Sequence, residues 1–122
     1  MMNRIDSLRP LILFLAGLIG AAGVGLAAAG THIGGAFLGP AVAMCLAHAP
    51  ALLALYACDR LFKTATASAL LLGLGTLLFA GDMAARQFLE HGLFAMAAPT
   101  GGMVMIFGWL LVAAGAFFPR KD

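Results

Sequence analysis

The stretch PLILFLAGLIGAAGVGLAAAGTHIGGAFLGPAVAMCLAHAPALLALYAC, residues 10–58, contains no Asp, Glu, Lys or Arg. About 20 mostly apolar residues suffice to cross the hydrocarbon core of a bilayer, so this run is far too long for one span and reads as two. The break is GTHIGG at residues 30–35, where glycines and a Thr-His pair interrupt the apolar pattern. Pro10 suits the first turn of the first helix, where its missing N–H has no partner to lose, and Pro40 fits the start of the second in the same way.

Outward from this run, the charges fall in tight groups at Arg4/Asp6/Arg9, Asp59/Arg60/Lys63, Asp82/Arg86/Glu90 and Arg120/Lys121/Asp122. Between the groups lie two more apolar runs, so the chain of 122 residues reads as one domain with spans of about 10–30, 36–58, 64–81 and 100–118. The expected fold class is an all-α membrane protein, four transmembrane helices in a small bundle. Composition agrees: 63% of residues are apolar and 10% charged, far from the averages of a soluble domain. A membrane β-barrel needs alternating apolar and polar residues, and SALLLGLGTLLF at 68–79 does not alternate. A cleaved signal peptide is the rival reading of the first run, with Arg4 and Arg9 before it and LAAAG at 26–30 resembling a cleavage site. The run exceeds a usual signal core, and a retained helix is expected.

Orientation follows from the rule that Lys and Arg flank the cytoplasmic ends of spans. With both termini cytoplasmic, Arg4, Arg9, Arg60, Lys63, Arg120 and Lys121 are inside and Arg86 alone is outside. The expected location is a bacterial inner membrane. The net charge of +2 is accounted for by this placement, with no basic patch left for nucleic acid.

Small residues at every fourth position, Gly17, Ala21, Gly25 and Ala29, form one narrow stripe on the first helix. Another helix can approach such a stripe closely; packing within the bundle is the expected use, and a dimerisation face is the alternative. Ala65, Ala69 and Gly73 make a similar stripe on the third helix, and Gly101 and Gly102 open the fourth to close approach. Among polar residues, His48 falls near the middle of the second helix, two residues before Pro50. A neutral imidazole there needs one hydrogen-bond partner from a neighbouring helix; the sharper reading is a polar route beside the proline kink, where His48 or a water caps the carbonyl of Leu46. Asp82, Arg86 and Glu90 recur at i, i+4 and i+8, so they share a face if the third helix continues past the membrane. One reading is a solvated ladder of alternating charge; in the other, Asp82 accepts from the amides at the start of the fourth helix, near Pro99, with Arg86 beside it.

No metal or cofactor is expected. His48 lies about 19 Å deeper than His32 or His91, too far for a shared haem, and Cys45 with His48 supplies only two of the four ligands of a structural zinc. Cys45 and Cys58 lie about 20 Å apart along one helix and cannot bridge. Gly-rich GLIGAAGVG at 17–25 lies within a span and is a packing signal, not a phosphate loop.

Four segments carry a resemblance. LAAAGTH at 26–32 looks like a Gly-Ala-Phe-Gly-Ala-His segment, His48 falls where a His opens a second hydrophobic block, GTLLFAGD at 75–82 resembles a Leu-Phe-Ser-Gly-Ser stretch, and APTGGMVMIFGW at 98–109 resembles Thr-Pro-x-Gly-Gly followed by Gly-Trp. Over residues 26–116 the chain thus resembles the small bacterial membrane proteins of domain of unknown function 423, whose animal relatives are called transmembrane protein 256. Two positions depart: Met44 and Cys45 stand where that family often has Tyr-Gln, and Asp82 replaces a small hydroxyl residue. The resemblance implies a four-helix membrane protein and no particular reaction.

With no reactive cluster and many small residues, the leading expectation is a non-catalytic accessory or assembly subunit whose partners are the lipid bilayer and other membrane protein subunits. The alternative is a small oligomeric transporter or channel, with His48 lining its route. An enzyme is not expected, since no surface domain is large enough to hold a site.

Overall fold

The computed structural model describes residues 4–121. After a single 3-10 turn come four helices, α1 (Arg9–Ile33), α2 (Leu38–Ala57), α3 (Ala65–Phe88) and α4 (Ala97–Ala114), and a second 3-10 turn, Gly115–Phe117, ends the last of them. There is no strand among the described residues, only one antiparallel bridge between Phe62 and Pro119. Counted with their flanking turns, all four helices are long and apolar enough to cross a membrane.

The helix starts follow local chemistry. Pro10 occupies the first turn of α1 and Pro40 the first turn of α2, positions where a missing amide hydrogen removes no helical bond. Gly34 and Gly35 end α1 with φ of 68° and 108°, a left-handed region that glycine adopts without a Cβ penalty. Gly35 also lies against the Gln87 side chain of α3, so the first loop rests on the far end of the third helix. α3 runs to Phe88, well past the expected end at 81. Asp82 and Arg86 pair along its axis, so the helix absorbs its first charges instead of stopping at them. α4 begins at Ala97, three residues earlier than expected.

α3 is the central element. It packs on α2 along one flank and on α4 along the other, while α1 packs mainly on α2 and touches α3 less. Ile12, Ile19, Leu52 and Leu72 fill the fully buried core. On α3 the expected stripe of Ala65, Ala69 and Gly73 is internal: both alanines are fully buried, and a Cβ on Gly73 would lie 2.9 Å from Leu15. The closest helix approach is between α3 and α4. A Cβ on Gly101 would lie 2.7 Å from the Phe79 backbone nitrogen, and one on Gly75 would lie 2.9 Å from the Gly101 carbonyl oxygen. Backbone meets backbone there, which only glycine permits.

The stripe on α1 is a correction. Gly17, Ala21 and Gly25 are exposed and Ala29 half-buried, and a Cβ on Gly17 or Gly25 would meet nothing within 4 Å. The face that α1 turns inward instead carries Ile12, Leu15, Ala16, Ile19 and Gly23. The large residues at 12, 15 and 19 also recur at helical spacing, and burying them removes more apolar surface than burying glycine and alanine. Gly102 likewise faces outward, with nothing near its Cβ position.

Both ends of the described chain lie at the same end of the molecule as the α2–α3 turn. Arg120 reaches back to Asp6 at 3.1 Å and donates through Nε to the Asp59 carbonyl at 2.8 Å. Arg9 stands over the Tyr56 ring, 4.4 Å from its centroid, and donates to the Tyr56 carbonyl at 2.9 Å. Its Nε lies 2.8 Å from Asp59 Oδ2 as an ion pair, with the N–H out of line for a hydrogen bond. An even number of helices returns the chain to the side it started from, and these contacts fasten that side.

Candidate functional site

At the opposite end, Asp82 is fully buried and both of its oxygens are engaged. Oδ1 accepts the Leu93 amide at 2.8 Å and Oδ2 accepts the Arg86 Nε–H at 3.0 Å. A buried carboxylate without such donors would be strongly unfavourable; here one side chain ties α3 to the α3–α4 loop. The expected acceptance from amides near Pro99 is replaced by a bond from Leu93, in the loop before the fourth helix. Gly92 makes room for this, since a Cβ there would lie 2.6 Å from Asp82 Oδ1 and 3.0 Å from Arg86 Nη2. In the sequence only its place in a short loop ten residues after Asp82 marks Gly92.

Glu90 does not extend the ladder. α3 ends at Phe88, and Glu90 has a φ of 63°, so it has left the helix and the face shared by Asp82 and Arg86. His32 and His91 are exposed.

His48 is 5% exposed and uses both ring nitrogens. Trp109 Nε1, which can only donate, lies 3.0 Å from His48 Nε2. Nε2 is therefore the acceptor, and Nδ1 carries the hydrogen that it donates to the Met44 carbonyl at 2.8 Å. This network fixes a neutral tautomer. The ring centroids are 5.7 Å apart with planes inclined at 59°, so the pair also packs. The expected cap on Leu46 beside Pro50 is replaced by a bond to Met44, one helical turn before the histidine. The partner was visible in the sequence as the chain's one tryptophan, but nothing in spacing alone pairs residues on α2 and α4.

Cys45 and Cys58 are unbridged, the former buried and the latter half-buried. Among the described residues no three His, Cys, Asp or Glu side chains group closely enough to hold a metal. Beside the outward face of α1 is an apolar crevice of about 400 Å³, lined by Ala22 and Gly25 of α1, Cys45 of α2, and Ala80, Gly81 and Ala84 of α3. Small side chains on α1 and α3 leave it open between the larger Ile19, Leu26 and Leu77.

The geometry gives two closed polar locks, at Asp82 and at His48, and one open apolar face. No curated protein and no solved structure matches the chain. A family model, described as Protein of unknown function (DUF423), matches residues 20–102. The matched segment holds His48, Asp82, Arg86, Gly75, Gly92 and Gly101, and stops before Gly108 and Trp109, so the Gly-Trp part of the resemblance lies beyond it. Covering more than half of the sequence, the match makes this chain a member of the DUF423 family.

Proposed function

We propose that the protein is a non-catalytic accessory or assembly subunit of a larger membrane complex, spanning a bacterial inner membrane four times with both ends in the cytoplasm. The observation that carries this reading is the outward face of α1. Gly17, Ala21 and Gly25 present a flat, small-residue surface that the chain's own bundle leaves uncovered, and the crevice at Gly25 deepens it. In lipid, where tails are as apolar as leucine, helices associate through close packing, and small residues favour it. The polar groups support a passive role. Asp82 and His48 spend their hydrogen-bonding capacity inside the chain, and His48 offers no free nitrogen to a solute, which removes the cue for a transporter. Orientation is supported by charge, with Arg4, Arg9, Arg60, Lys63, Arg120 and Lys121 at one end and Arg86 at the other.

A photocrosslinking side chain placed at Gly25 in native membranes tests the reading. Adducts between this chain and a different membrane protein are expected, while the same probe at Leu110, a large exposed side chain on α4, gives none. Adducts that contain only copies of this chain would favour the oligomeric transporter and contradict the subunit.

A further inference from the structure

Residues 60–63 and 118–121 lie side by side at the end that gathers both ends of the described chain. The Lys63 amide donates to the Phe118 carbonyl at 2.8 Å and the Arg120 amide to the Leu61 carbonyl at 3.1 Å, so Arg-Leu-Phe-Lys runs antiparallel to Phe-Pro-Arg-Lys with Phe62 opposite Pro119. Against this pair is an apolar notch of about 370 Å³, lined by Leu61, Phe62, Val112, Gly115, Ala116 and Pro119. Gly115 keeps Phe62 in place, since a Cβ there would overlap the Phe62 ring and come within 2.7 Å of the Thr64 hydroxyl.

The charges around the notch are unbalanced in a specific way. Asp6 and Asp59 are taken up by Arg120 and Arg9. Arg60 and Lys63 are exposed and enter no ion pair among the described residues. Beside them Leu61 is 66% exposed, Phe117 81% and Phe118 51%. Large apolar side chains interleaved with free cations suit the headgroup boundary of a bilayer, where phosphate and acyl chain meet. A soluble phosphate would use the cations and leave the notch empty; a neutral lipid would use the notch and leave the cations unmatched.

We propose that this end holds an anionic phospholipid, its phosphate against Arg60 and Lys63 and the upper part of one acyl chain in the notch beside Ala116. The inference rests on the membrane-spanning reading above and does not depend on which subunit covers α1. It is tested with the full chain in mild detergent, titrated with phosphatidylglycerol or phosphatidylcholine of equal chain length, with lipid adducts followed by native mass spectrometry. Phosphatidylglycerol is expected to bind at least about fivefold more tightly, and Arg60→Gln and Lys63→Gln each to lose about fivefold of that affinity, the worth of one basic residue near a charged surface. Both variants should melt with the wild type because their side chains are exposed. Ala116→Trp, which fills the notch, should weaken both lipids, and glycerol phosphate alone should not bind. Equal binding of the two lipids, undiminished phosphatidylglycerol binding in the Arg60→Gln/Lys63→Gln double variant, or glycerol phosphate binding as well as the lipid would each overturn the proposal. A chain that stays soluble without detergent and takes up no lipid would overturn the membrane reading together with it.

Discussion

Asp82 is a carboxylate with no exposed surface and two donors, so its replacement has an asymmetric effect. In Asp82→Asn the remaining carbonyl can still accept from Leu93, but the new NH2 group faces the Arg86 N–H, donor against donor. A loss of about 1–3 kcal/mol is expected, in the range for a broken buried hydrogen bond to a charged group, read by unfolding in detergent. Glu90→Gln should melt with the wild type, since Glu90 lies outside the pair. Asp82→Asn combined with Arg86→Gln should cost less than the two changes summed, because each removes the partner the other lost; strict additivity would mean the pair is not coupled. His48→Phe makes a second residue-scale prediction. The variant should insert and remain assembled, as Phe is favoured at that depth, but the emission of the single tryptophan should shift because its N–H loses its acceptor. Unchanged emission would contradict the His48–Trp109 bond. His48 could be picked from the sequence because polar groups are rare in apolar runs, and Asp82 because it opens a charge ladder at helical spacing. Their partners could not, since Leu93 offers a backbone amide and Trp109 sits on another helix.

Among the helices, the same residue type plays opposite roles on two faces. Gly101 touches α3 backbone and Gly25 touches nothing, so Gly101→Ala should lower stability by about 1–3 kcal/mol, the usual cost of overpacking. Gly25→Ala and Gly102→Ala should be neutral or slightly stabilising, because alanine is the better helix former. Equal melting temperatures for Gly101→Ala and Gly102→Ala would refute the close α3–α4 approach. Helix number and approximate limits were legible because charges cluster between apolar runs. The inward face of α1 was not. Two periodic patterns share that helix, small residues at 17, 21 and 25 and large ones at 12, 15 and 19, and only packing against α2 decides which is buried. The length of α3 was underestimated for a related reason: a charge in sequence marks a span end, but an i, i+4 pair lets the helix carry it onward.

For the whole molecule, the two ends differ in kind. One gathers both ends of the described chain, the α2–α3 turn and most of the Lys and Arg residues; the other holds the Asp82 lock and Arg86. Four crossings with this polarity are the central claim, and the α3–α4 loop is where alternatives diverge, because any odd number of crossings before it places it on the side opposite the amino terminus. The direct measurement is cysteine accessibility in intact cells, with Cys45 and Cys58 replaced by alanine and one cysteine placed at a time at exposed positions. His91→Cys should react with a membrane-impermeant maleimide from outside, while Lys63→Cys and Lys121→Cys should react only after the membrane is permeabilised. Labelling of His91→Cys only after permeabilisation, or of Lys63→Cys in intact cells, would contradict the four-span account.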